Sequence, residues 1–222
     1  MQTRQAVIFD LDGTLINSLE DIADAMNYTL TTFGFPTHNY EAYKHFIGKG
    51  LMNLVKSCVS PHALDNQQIL QQCLDVMMDY YQKNLTNKTR LYPEITELLD
   101  VLTSKSVKMA ILSNKANTLT QQICDTLLRN WSFEVILGAT ETFPRKPNPE
   151  SALFIAKKLQ VSPENIIYVG DSNVDMQTAI AAGMFPVGVT WGFRTREELQ
   201  EAGAELVIDL PMELVKRKLP QN

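Results

Sequence analysis

Cysteine is scarce in this sequence: Cys58, Cys73 and Cys124 are the three among 222 residues. Odd in number and widely scattered, with no CxxC pair, they supply no disulfide framework. They fit a reducing compartment and read as small buried hydrophobes. Positive charge is also in short supply. The formal net charge of -5 gives no general electrostatic reason to bind nucleic acid or an anionic membrane, so an anionic substrate has to be held by local groups. No apolar run is long enough to cross a bilayer, and Met1–Gln5 meets strand-forming residues too soon for the apolar core of a signal peptide. The expected location is the cytoplasm. Internal repeats and low-complexity tracts are absent as well.

What is present is enough apolar material for a real core, 45% of the residues. The length suits one large domain, or an ordinary core carrying an insertion. The chain is organised around Ala6–Leu15, where the apolar run Ala6-Val7-Ile8-Phe9 ends abruptly in Asp10-Leu11-Asp12-Gly13-Thr14-Leu15. A short apolar run bounded by turn residues suits a strand covered on both faces. In open parallel sheets ligands bind beyond the carboxyl ends of strands, which puts Asp10 and Asp12 at a site. Side chains two apart on an extended chain point the same way, so both carboxylates can face one ligand. Gly13 permits the sharp turn past it. Taken alone, Asp and Gly after a strand are also ordinary turn and cap residues.

After Leu15 the pattern turns helical, with Ser18 as a cap and Leu19, Ile22, Ala23, Met26, Leu30 and Phe33 at helical spacing. Gly34-Phe35-Pro36 breaks it. Helical stretches follow over 40–46, 51–59 and 67–85, with the loop Ile47-Gly48-Lys49-Gly50 between the first two. A helical block of about 70 residues is too long for one βαβ crossover of about 30 residues. It reads as an inserted helical cap domain over 16–89, with an α/β core formed by 1–15 and 90–222. Within the core, helix is expected over 94–102, 119–128, 149–159 and 176–182. Strand is expected over 107–112, 133–137, 166–169, 187–189 and 206–208. This alternation predicts a Rossmann-like, doubly wound parallel sheet.

Polar groups recur where that sheet would expose its carboxyl edge: Ser113-Asn114-Lys115, then Lys146 in Arg145-Lys146-Pro147, then Gly170-Asp171-Ser172-Asn173-Val174-Asp175. Each has an ordinary structural explanation alone: Ser113 or Asn114 as a turn residue, Lys146 as a solvated cation, Ser172 or Asn173 as a helix cap. Together with Asp10 and Asp12 they supply the parts of phosphoryl transfer. The set, in this order and βα context, resembles the haloacid dehalogenase (HAD) superfamily, and most closely its phosphoglycolate-phosphatase-like branch with a helical C1-type cap.

The resemblance implies that Asp10 is the nucleophile that becomes a phosphoaspartate and that Asp12 is the general acid and base. It implies Mg²⁺ held by the Asp10 carboxylate, the main-chain oxygen of Asp12 and the Asp171 carboxylate, a hard-oxygen set that suits this ion. Ser113 and Lys146 would hold the phosphoryl oxygens, Asn114 would contribute through its backbone, and Asp175 would sit behind the metal, orienting its waters or Lys146. Asn17 departs from the Asp more common there in that branch, though Asn caps helices as well as Asp does. An acid at Asp12 argues for a phosphatase over a dehalogenase.

The activity implied is hydrolysis of a small phosphorylated metabolite, with phosphoglycolate the leading candidate. A β-phosphoglucomutase-like mutase would share the same core residues, a pyrophosphatase would be a substrate variant, and a non-enzymatic phospho-acceptor switch is disfavoured by Asp12 and the large cap. Lys49, with His45 just upstream, is the candidate for the leaving group's carboxylate, although an exposed lysine in a helix-to-helix turn is the ordinary state of lysine. Oligomeric state is not legible.

Overall fold

A computed structural model describes residues 5–216. The chain forms two compact units. One comprises the chain through Asn17 and from Leu91 onward; the other is Ser18–Arg90.

In chain order the elements are β1 (Ala6–Phe9), β2 (Ile16–Asn17), α1 (Leu19–Thr32), α2 (Tyr40–Phe46), α3 (Leu51–Cys58), α4 (Gln67–Lys83) and β3 (Arg90–Leu91). They continue with α5 (Ile95–Ser104), β4 (Lys108–Ala116), α6 (Asn117–Ile123), β5 (Val135–Ala139), α7 (Glu150–Leu159) and β6 (Ile166–Gly170). The last are α8 (Asn173–Ala181), β7 (Phe185–Val189), α9 (Arg196–Glu201), β8 (Leu206–Ile208) and α10 (Glu213–Lys216).

The first unit is built on a six-stranded sheet in the order β5-β4-β1-β6-β7-β8. Its ladders are all parallel. Every residue of β1 is buried, as expected of a central strand covered on both faces. Burial of Ile8 or Phe9 contributes roughly 1.5–3 kcal/mol apiece. Ala6, Ile8, Ala110, Leu112, Ile166 and Tyr168 share one core cluster with Ala152, Ile155 and Leu159 of α7. The strands after β1 lead through β4 to β5 on one side, and β6 then returns to β1's other side to lead through β7 to β8. The direction of winding reverses at β1, which is where open α/β sheets form their crevice. The expected doubly wound α/β sheet is the one found.

Several boundaries differ for physical reasons. The helix expected from Glu94 starts at Ile95, because Glu94 takes a left-handed conformation at φ 62°. The helix expected from Met176 begins at Asn173, where Ser172 and Asp175 form a reciprocal capping box. The strand expected over 133–137 lies at Val135–Ala139. β4, expected to end before Ser113, runs on to Ala116 with a register shift against β5 between Leu112 and Ala116. The segment after Leu15, expected to hold no strand, opens with the two residues of β2, paired with β3.

The Ser18–Arg90 unit is helical. Ile22, Ala23, Met26 and Leu30 of α1 are buried, as are Leu70, Cys73, Met77 and Tyr81 of α4 at a helical repeat. The buried Asp21 carboxylate accepts hydrogen bonds from the backbone N–H groups of Lys88 and Thr89 and from the Thr89 hydroxyl at 2.7 Å. That ties the unit's returning segment to the start of α1. Ser18 precedes α1 but its side chain makes no cap hydrogen bond. All three cysteines are buried and free. No helix among the described residues is long and apolar enough to cross a membrane.

Candidate active site

The carboxyl edge of the six-stranded sheet brings together every core residue singled out by sequence. Asp10 follows β1 directly, and its backbone N–H donates to the Val169 carbonyl at 2.9 Å, which locks the loop to β6. The next turn is tight: the N–H groups of Thr14, Leu15 and Ile16 all point to the Leu11 carbonyl. Gly13 sits there at φ 88°, and a Cβ on it would lie 2.2 Å from an Asp171 oxygen. Glycine is therefore required twice, for the left-handed turn and for the close approach of Asp171.

Lys146 is buried rather than solvated. Its ammonium donates to Asp10 Oδ1 at 2.8 Å, Asp175 Oδ1 at 2.7 Å and the Leu112 carbonyl at 3.1 Å. Burial alone would lower its pKa, but Asp10 and Asp175 outweigh that and hold it well above the ordinary lysine value. The side chain of Asn114 clasps the Lys146 backbone, accepting from its N–H at 2.9 Å and donating to its carbonyl at 3.2 Å. Ser113 is buried beside it. Ser113, Asn114 and Lys146 line a recess together with Thr140 and Ser151, whose hydroxyl oxygens are buried without a hydrogen-bond partner. Such orphaned groups mark room for a polar guest.

Asp10, Asp171 and Asp175 are buried and place carboxylate oxygens within 4.8 Å of one another. Burial first, then the charge of Asp175, pushes the Asp10 carboxyl up to about 7 against the opposing pull of Lys146. Burial likewise holds Asp171 well above the carboxylate range, reinforced by Asp175 and Asp10. The Lys146 ammonium touches two of the three clustered carboxylates, Asp10 and Asp175, and a divalent cation would offset the remaining charge with donors of the right hardness. The oxygens divide the work. Asp175 spends Oδ1 on Lys146 and Oδ2 on the Ser172 hydroxyl and N–H. Asp171 receives the Phe193 N–H on Oδ2 at 2.7 Å. Asp10 and Asp171 thus fit direct ligation of a metal, and Asp175 fits a place behind it.

Two features have no counterpart in the sequence reading. Lys115 pairs with Asp12 through both oxygens, at 3.0 and 3.1 Å. The loop after β7 packs Gly192 against Asp171 and the Gly13 carbonyl, while the Trp191 indole donates to the Thr14 carbonyl at 2.9 Å. The lysine was visible as Ser113-Asn114-Lys115, but its partner is 103 residues away. The Asp171 clamp is a main-chain N–H, which no residue type signals. His45 and Lys49 belong to the Ser18–Arg90 unit, at the end of α2 and in the turn before α3, and both are exposed.

Fold and edge together define the class, an α/β protein with a doubly wound parallel sheet and polar loops gathered at its carboxyl edge. Residues 7–189 match the family model of the haloacid dehalogenase-like hydrolases, and the chain belongs to that family. It is 34% identical over 206 residues to a phosphoglycolate phosphatase of Pseudomonas putida, covering 91% of this chain and 75% of that one. It is 29% identical to a phosphoglycolate phosphatase of Colwellia psychrerythraea, with 97% of both chains covered. A crystal structure of a protein from Haemophilus somnus, described as a predicted phosphoglycolate phosphatase, superposes with a TM-score of 0.90 at 28% identity, over 97% of this chain and 98% of that one.

Proposed function

We propose that the protein is a Mg²⁺-dependent phosphomonoesterase that works through a phosphoaspartate on Asp10, with phosphoglycolate as its substrate. The observation that carries this reading is the Asp10 carboxylate, buried at the end of the central strand, 2.8 Å from Lys146 and clustered with Asp171 and Asp175. The likeness to phosphoglycolate phosphatases over nearly the whole chain supports the substrate.

In the first half-reaction an Asp10 oxygen bonds to phosphorus as the phosphorus–oxygen bond of the ester breaks, and Asp12 gives a proton to the departing oxygen. In the second, water bonds to phosphorus, its proton passes to Asp12, and the phosphorus–Asp10 bond breaks to release inorganic phosphate. Lys146 offsets the charge of Asp10 and Asp175. Its three donors are all engaged in the structure, so contact with a phosphoryl oxygen exchanges one of them. Ser113 and the Asn114 backbone take the other phosphoryl oxygens. Asp10, the Asp12 carbonyl and Asp171 would hold Mg²⁺, whose charge lets an anionic carboxylate approach a phosphate dianion. In this reading Ser18–Arg90 is the helical cap, which excludes water when closed. Lys49, with His45 nearby, meets the leaving group's carboxylate. The buried, free cysteines fit a cytoplasmic setting.

Phosphate release from phosphoglycolate, hexose phosphates and pyrophosphate, each with Mg²⁺ and with EDTA, tests the reading. Phosphoglycolate should have the highest kcat/KM, and EDTA should abolish turnover. A preference for pyrophosphate, a bisphosphate requirement with a hexose phosphate, or full activity under chelation would each overturn it.

A further inference from the structure

We propose that Lys115 is a positioning residue for Asp12, holding its carboxylate in the orientation used to take a proton from the water that hydrolyses the phosphoenzyme. The proposal rests on the function proposed above. The Lys115 side chain is 3% exposed and that of Asp12 12%, so this is no surface pair. Its ammonium reaches both carboxylate oxygens, at 3.0 and 3.1 Å. Two N–H bonds from one nitrogen fix the carboxylate plane as well as its distance. The lysine is itself tied at both ends of its backbone. Its N–H donates to the Ser113 hydroxyl at 3.2 Å, and its carbonyl accepts from the Thr120 hydroxyl at 3.3 Å.

Such a pair is a poor device for stability alone, because burying both charges costs about as much as their attraction returns. It is a good device for aiming a carboxylate. With donors on both oxygens, the Asp12 side chain is held in one plane, as the second half-reaction requires. There water's oxygen bonds to phosphorus, its proton goes to Asp12, and Asp10 leaves as a carboxylate. Lys146 does the corresponding task for Asp10 from the next loop, so the two catalytic carboxylates have separate lysines.

Stopped-flow kinetics with p-nitrophenyl phosphate separates the half-reactions, since this leaving group departs with little help from an acid. In Lys115→Met with Mg²⁺, a burst of nitrophenolate near one equivalent of enzyme should form at close to the wild-type rate. The steady rate that follows should fall by roughly 10²-fold, within the range general-base contributions span. Phosphoenzyme should accumulate and appear by mass spectrometry after acid quench. Lys115→Gln, which keeps a neutral NH₂ donor group but loses the charge, should show the same pattern with a smaller loss, and serves if Lys115→Met fails to fold. Burst and steady phases falling together would make the pair merely structural and overturn the proposal, as would no change in either. Wild-type enzyme that forms no phosphoenzyme, with Asp10→Asn still active, would instead overturn the reading beneath it.

Discussion

Lys146 illustrates how burial decides between two readings of one residue. A lysine after a proline-flanked turn is normally solvated. Here three acceptors surround it, two of them carboxylates, and removal of the ammonium would leave a buried cluster of like charges. Lys49 is the opposite case, exposed in its turn with its carbonyl accepting from the Asn53 side chain at 2.7 Å. If it meets the leaving group, Lys49→Ala should raise KM and lower kcat/KM for carboxylated phosphate esters by about 1–3 kcal/mol, the usual worth of one charge-assisted contact. An uncharged aryl phosphate should be hydrolysed almost as before. Equal losses on both substrates would assign Lys49 to folding or closure, and no loss on either would leave it a surface lysine. Sequence order singles out Lys146 because it follows a strand in series with three other polar motifs. It passed over Lys115, whose significance depends on a contact with Asp12 that only the fold creates.

At the scale of elements, the site is made by what happens just past each strand. β4 keeps extended geometry through Ser113-Asn114-Lys115, which carries three buried polar side chains toward the site. The apolar run ends at Leu112, so hydropathy marks the strand's end four residues too early. α8 starts earlier than its apolar pattern because Ser172 and Asp175 cap it, and the same Asp175 holds Lys146. The ordinary cap and the functional position are one residue. The loop after β7 has no such pattern, and it acts through the Phe193 N–H and through close packing. A Cβ on Gly192 would fall 2.3 Å from Asp171 Cβ and 2.4 Å from the Gly13 carbonyl, so Gly192→Ala must displace the Phe193 N–H from Asp171. Differential scanning calorimetry should show that Mg²⁺ raises the Tm of the wild type, since a ligand of the native state stabilises it. The rise should be largely lost in Gly192→Ala, with far-UV circular dichroism preserved. An undiminished Mg²⁺ effect would mean that the loop does not position Asp171.

At the scale of the whole molecule, a chain with net charge -5 gathers three of its carboxylates at the carboxyl edge of its sheet, where they can serve only if a cation or a proton is present. This is a cost in the metal-free protein and a resource in catalysis. The parallel sheet was legible because alternating apolar runs and helical periods dictate it. The family was legible because β1 runs into Asp10-Leu11-Asp12 beside the point where the winding reverses. The nucleophile is the centre of the account, and Asp10→Asn tests it most directly by preserving shape while removing the attacking anion. The variant should fold with a metal-free Tm equal to or above that of the wild type, because one of three clustered carboxylates is gone. Its kcat on phosphoglycolate with Mg²⁺ should fall by several orders of magnitude, within the range enzymes supply. Retention of a tenth or more of wild-type turnover, with deamidation back to Asp excluded by mass spectrometry, would contradict it.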